Sequence, residues 1–244
     1  MHNTEMNEAG KTQLASLQNA LAAAIDSIDW AKVADAIHEY KAGFPEQLRM
    51  LALHGWFISA WHTPMRAIYP LADSFRSGKI EEAHQTLCWH FKQVLPEIED
   101  DLIARFPERA VIIRKAFGAH RTGDFELSIP VFLAQADGIS RDVIAKEMPR
   151  FSVYSKQDKF RNVTQNFIDQ FVKEELVTRD ILQVALIEMP LNVSEGSSML
   201  KGEVLNRNAI LHGMNTTYAT SLNSYRAISW LQFVSYFQTM KGFG

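Results

Sequence analysis

The segment from Thr217 to Met240 carries apolar side chains on two sides of a helix, and this pattern restricts the folds open to the chain. The two apolar stripes consist of Ala227, Trp230, Leu231 and Val234, and of Phe233, Tyr236 and Phe237. A helix that is apolar nearly all round is either central in its domain or shared with a partner subunit. The sequence leaves both arrangements open.

Apolar residues at spacings of three and four predict further helices before this segment. One long helix is expected over 81–106, kinked or interrupted at Pro96, because proline removes a backbone donor. A second is expected from about Glu108 to His120. A turn at 122–124 then leads into a helix over 125–139, kinked at Pro130.

The N-terminal third also reads as helices, with Gly43-Phe44-Pro45 expected to end one of them. The pattern of 51–60 does not decide between a short strand and a helix. Together these patterns predict an all-α fold. We divide it into an N-terminal helical region of unknown role over residues 1–100 and a helical domain over residues 101–244.

Composition limits the possible partners and compartment. The 244 residues are 47% hydrophobic and 22% charged, and the formal net charge is -3, so a surface for nucleic acid has to be a local patch. Cys88 is the single cysteine, which fits a reducing compartment. The polar start of the chain does not resemble a signal peptide, and no apolar run reaches membrane-spanning length. We expect a cytoplasmic protein without a membrane partner.

The strongest chemical motif is Asn206–Gly213, in which Arg207 and His212 enclose Asn208 and three aliphatic residues. Arginine is a permanent cation that fits phosphate oxygens, and histidine exchanges a proton near neutral pH. On a helix, Arg207 and His212 would lie roughly 140° apart. They are therefore expected to meet at a helix end, next to the polar loop 190–202, with Gly213 as a stop signal.

The spacing of this motif resembles the R-[polar]-x3-H signature of HEPN domains, a family of small helical proteins that includes metal-independent ribonucleases of bacterial defence and toxin systems. A second segment, Gly123–Ile139, is similar to uncharacterised bacterial, often phage-linked proteins. The resemblance covers roughly residues 105–235. It implies a HEPN-like helical bundle, joined here to the additional N-terminal helical region.

The same resemblance implies a function. We expect an endoribonuclease of a toxin, abortive-infection or antiphage system that needs no metal or other cofactor. It would act as a homodimer with two motif copies in one cleft, and an antitoxin or other regulatory partner would restrain it. The expected catalytic residues are Arg207, His212, Asn208 and Asp137, with Asp124 and Glu126 as weaker carboxylate candidates. The alternative is a non-catalytic binding or sensor protein for RNA or a nucleotide.

A basic segment with interleaved aromatic residues, 141–161, is the candidate RNA-binding surface. Aromatic rings stack on unpaired bases while cations hold the backbone, although an ordinary charged loop has the same composition. The expected contacts are Arg150, Tyr154, Lys156, Lys159 and Arg161.

Two other clusters favour structural interpretations. In His84-x3-Cys88-x-His90 only the first two residues share a helical face, so we interpret the group as a buried cysteine beside surface histidines and expect no metal site. The acidic run Glu97–Asp101 is attributed to solvation at the start of a helix. Walker, Rossmann and nucleophile-elbow motifs are absent from the sequence.

Overall fold

A computed structural model describes residues 16–20, 23, 25, 27–59, 62–147 and 205–236. These ranges are mostly helical and contain no β-strand, which confirms the all-α prediction for the described part of the chain. The helices are α1 (Trp30–Leu53), α2 (Met65–Arg76), α3 (Ile80–Arg105), α4 (Ala110–Thr122), α5 (Phe125–Glu147), α6 (Arg207–Leu211) and α7 (Ser221–Ser235), with a 3₁₀ turn at Pro107–Arg109.

The chain divides into two compact units between Gly43 and Phe44, inside α1. The predicted boundary after residue 100 lies within α3. Among the described residues no helix combines the length and the apolarity that crossing a bilayer requires.

Helix α7 is the central helix of the unit that begins at Phe44. Every residue from Ser224 to Ser235 is buried, and the helix packs against α5 and α3. This resolves the choice between a central and a shared helix in favour of the central one within this unit. The helix begins at Ser221 rather than Thr217 because the Thr220 side chain accepts a hydrogen bond from the Asn223 amide and caps the helix.

Helix α1 corrects the expectation that Gly43-Phe44-Pro45 ends a helix. The helix continues through Pro45 to Leu53. Phe44 and Leu48 are buried, so their packing outweighs the local breaking signal of the glycine and proline. Residues 54–59 then form an irregular segment with Gly55 at a φ of 82°, and Trp56 is fully buried within it. The ambiguous 51–60 stretch is thus a helix end followed by a packed connection.

Helix α3 runs without interruption from Ile80 to Arg105, with Pro96 inside it. The acidic run at 97–101 therefore lies in its C-terminal third, and the expected position at a helix start is wrong. Ion pairs hold these carboxylates instead: Glu99 contacts Arg121 at 2.6 Å and Asp101 contacts His62 at 3.0 Å. The helix dipole would be unfavourable here, so the charge is offset by partners on other segments.

Helix α5 follows the predicted turn, where Gly123 has a φ of 83° and ends α4. It extends to Glu147, well beyond the expected end at Ile139. Pro130 has no N–H to donate to the carbonyl of Glu126, four residues earlier. The Tyr218 hydroxyl donates to that carbonyl at 3.0 Å. A residue from the loop before α7 thus supplies the hydrogen bond that the proline removes from α5.

Candidate functional site

The motif at 206–213 folds as the single-turn helix α6 with a cap at each end. Asn206 is buried, and its side-chain oxygen accepts a hydrogen bond from the Ala209 amide at 2.8 Å. His212 is the C-terminal cap, and Gly213 follows with a φ of 73°. Ile210 is buried and anchors the helix. Because one turn is too short to be stable alone, these caps and this contact hold the motif in place.

Arg207 binds the carboxylate of Asp137, which lies 70 residues earlier in the middle of α5. Its Nε donates to Asp137 Oδ2 at 2.6 Å, and its Nη2 donates to the same oxygen. The Arg207 and Asp137 side chains are only 13% and 18% exposed. This contact joins the arginine of the motif to the carboxylate that the sequence singled out.

Asn208 and His212 complete the motif in different ways. Arg207 Nη1 donates to Asn208 Oδ1 at 2.7 Å, so Asn208 helps to orient the guanidinium. His212 is exposed at the other end of α6, and within the described ranges its side chain forms no hydrogen bond or ion pair. The structure therefore brings Asp137, Arg207 and Asn208 together, while His212 is exposed at the opposite end of α6 and no hydrogen bond or ion pair joins His212 to Arg207 within the described residues.

The remaining candidate residues lie elsewhere. Asp124 accepts a hydrogen bond from the Thr122 hydroxyl at 2.7 Å in the turn before α5. Glu126 is exposed in the first turn of α5. The five candidate RNA contacts all fall outside the described residues: Arg150, Tyr154, Lys156, Lys159 and Arg161.

Sequence reasoning missed a second arginine that binds α5. Arg109 donates to Gln135 at 3.0 Å and to Asp142 at 2.5 Å. A β-carbon at Gly138 would lie 2.7 Å from Arg109 Nη1, so the absent side chain leaves room for this guanidinium. Gly138 is thus a mid-helix residue of α5 rather than a helix end. The spacing of three and four among Gln135, Gly138 and Asp142 was the available signal.

Of the two histidines in the H-x3-C-x-H cluster, His84 is buried and His90 is half-buried, which corrects their expected position on the surface. Trp56 Nε1 lies 3.0 Å from His84 Nδ1, and Arg226 Nη2 lies 3.1 Å from His84 Nε2. Both neighbours can only donate, and a protonated ring would have no acceptor nitrogen for either of them, so the neutral imidazole, which accepts from one of them, is favoured. Burial, together with Arg226 and His54, lowers the pKa of His84 to about 4.

Cys88 and His120 are likewise held in their neutral forms. Burial raises the pKa of the Cys88 thiol to about 11, which disfavours the thiolate that a metal would need. Across the described ranges no group of three metal-ligating side chains occurs. His120 Nδ1 lies 2.7 Å from the Ser224 hydroxyl, and burial, with Arg121, lowers the pKa of His120 to about 4. The Ser128 hydroxyl lies 3.2 Å from that of Ser224.

Comparisons with known proteins gave no match: no family model, curated protein or solved structure is similar to the chain at a significant level.

Proposed function

We propose that this chain is a HEPN-like, metal-independent endoribonuclease of a bacterial toxin, abortive-infection or antiphage system. The observation that carries the proposal is the contact between Arg207 and Asp137, with the exposed His212 capping the short helix that begins at Arg207. The family resemblance directed attention to an upstream carboxylate, and Asp137 contacts Arg207 although the two residues are 70 positions apart. This contact supports a built site rather than a chance spacing.

The chemistry follows from the charges of these side chains. His212 removes the proton from a ribose 2′-hydroxyl, whose oxygen then forms a bond to the adjacent phosphorus. The bond from phosphorus to the 5′-oxygen breaks, and that oxygen takes up a proton. The products are a 2′,3′-cyclic phosphate and a 5′-hydroxyl. Arg207, oriented by Asn208 through its Nη1, offsets the negative charge that develops on the phosphate.

A homodimer suits this chemistry. Cleavage needs a base for the attacking hydroxyl and an acid for the leaving oxygen, while each motif contains one histidine. Two copies of His212 facing a shared cleft would supply both groups. The segment 141–161 is the proposed RNA contact, and an antitoxin or similar partner is the proposed restraint.

Cleavage of a fluorescent single-stranded RNA by the full-length protein tests the proposal. We expect His212→Ala and Arg207→Ala each to lower the rate by at least about 100-fold, as the loss of a general base or an oxyanion partner does. EDTA should leave the rate unchanged, and a 2′-deoxy substitution at the cut site should block cleavage there.

The matched controls are Arg121→Ala and Met214→Ala. Arg121 is a half-exposed arginine paired with a carboxylate of α3, and Met214 is an exposed residue two positions after His212. Both controls should retain wild-type activity with unchanged circular dichroism. Full activity in the His212 and Arg207 variants would contradict the proposal.

One observation favours the alternative of a non-catalytic RNA- or nucleotide-binding protein. The guanidinium of Arg207 is largely buried and already bound to a carboxylate, as in many structural ion pairs. This alternative predicts RNA binding without cleavage products under every condition above.

A further inference from the structure

In the Arg207–Asp137 pair, the guanidinium binds the carboxylate through the nitrogens that an arginine can also use to bind a phosphate. Two guanidinium nitrogens, Nε and Nη2, point at one carboxylate oxygen, and guanidinium groups bind phosphate oxygens in the same way. Asp137 therefore occupies the edge of Arg207 that an RNA phosphate would use. Carboxylate and phosphate are competitors for this edge.

The two partners are anchored unequally. Asp137 lies near the middle of the 23-residue helix α5, whose neighbouring residues Gln135 and Asp142 are both bound by Arg109. Arg207 is the first residue of a five-residue helix and has a long side chain. An exchange of partners therefore requires only that the Arg207 side chain turn away from α5, while the carboxylate stays in place.

The charge of the pair determines the consequence. With Asp137 bound, the one cation of the motif is neutralised by a carboxylate that is largely removed from solvent. A phosphate can bind Arg207 only after the ion pair with Asp137 has broken. The carboxylate of Asp137 must then be hydrated or find another partner, which costs free energy. The pair thus lowers the affinity of the resting site for RNA.

We propose that Asp137 is a latch: it competes with the substrate phosphate for Arg207 and keeps the site in a low-affinity resting state. This inference rests on the proposed RNA-cleaving function and adds a form of regulation to it. Any partner or modification that removes the negative charge of Asp137 from Arg207 raises RNA affinity. The latch acts on binding, so it is measurable without cleavage.

The test is the affinity for a fluorescent 2′-O-methyl RNA, which retains its phosphates and lacks the attacking hydroxyl. Asp137→Asn keeps the shape of the side chain and removes its charge. We expect it to lower the Kd about tenfold, the effect of one added charge-assisted hydrogen bond. The plot of log K against log salt should steepen by about 0.7, as for one more phosphate contact on a single strand. Asp137→Ser should give the same gain.

Glu99→Gln is the matched control, because Glu99 carries the same charge and is similarly buried, but it lies on α3 and pairs with Arg121. Its Kd should equal that of the wild type, and the gain from Asp137→Asn should vanish in the double variant with Arg207→Ala. An unchanged or higher Kd for folded Asp137→Asn and Asp137→Ser would overturn the latch while RNA binding by the wild type still stands. Failure of all variants to bind would overturn the proposed function as well.

Discussion

Two arginines of the described residues, Arg207 and Arg226, differ in burial and in the partner of the guanidinium. Arg207 pairs with the carboxylate of Asp137 near the middle of α5, on the short helix that the exposed His212 caps. Arg226 is buried in α7 and lies 3.1 Å from the neutral ring of His84. Arginine and histidine thus serve packing in the core, whereas in the candidate site the histidine is exposed and the arginine pairs with a carboxylate.

The largest expected effect separates these two arginines by stability. Arg226→Ala removes hydrogen bonds to His84 and Asn223 and leaves a cavity in the core, so we expect a loss of about 3–4 kcal/mol in the free energy of unfolding. Arg207→Ala should cost about 1–2 kcal/mol, because its ion pair is partly exposed. Urea unfolding measures both values. A smaller loss of unfolding free energy for Arg226→Ala than for Arg207→Ala would contradict the structural role assigned to Arg226.

The second effect concerns pH and the neutral histidines of the core. Above about pH 6.5 His84 and His120 are neutral in both the folded and the unfolded chain. Below it, the unfolded chain binds protons that the folded protein, with both pKa values at about 4, does not accept. Stability therefore falls as the pH drops from 6.5 towards 4. By pH 5 the loss should reach roughly 2 kcal/mol for each histidine.

Unfolding of wild type and His120→Gln at pH 7.5 and pH 5 checks this effect. The variant should lose less stability on acidification than the wild type, because it has one fewer buried imidazole. Equal losses in the two proteins would show that folding does not hinder protonation of His120, and would contradict the role of this buried histidine in the pH dependence.

The smallest effect tests the link between the site loop and α5. Tyr218→Phe removes the hydroxyl that donates to the Glu126 carbonyl, so we expect a loss of about 1 kcal/mol. The expected structural readout is faster amide exchange in the first turn of α5. Thr217→Ala, which removes a side-chain contact within the same loop, is the control and should leave that turn unchanged.

The sequence predicted the all-α class and offered a central position as one of two possibilities for α7. It also identified Asp137 as the carboxylate expected near Arg207. These features depend on apolar spacing and on a few chemically distinctive residues. The continuation of α1 through Pro45 could not be predicted in this way, since it depends on the burial of Phe44 and Leu48 in tertiary packing. Glycine and proline, as local helix-breaking signals, carry no information about such tertiary contacts.

The core cluster escaped prediction for a related reason. His84 and Arg226 are 142 residues apart and have no motif in common, so no spacing could link them. The Arg109 contacts were missed because the spacing of Gln135, Gly138 and Asp142 marks one face of α5 but does not show which arginine packs against it. Asp137 was found because a family resemblance directed attention to an upstream carboxylate.

The position of α7 has a consequence for synthesis of the protein. The helix that fills the core of the second unit is the last one described, and Arg207 and Asp137 are also distant in the chain. A nascent chain lacks the core helix α7 and the Arg207–Asp137 pair until these later segments have left the ribosome, and contacts of such long sequence separation form slowly. The candidate site therefore forms only after both α5 and α6 have been synthesised.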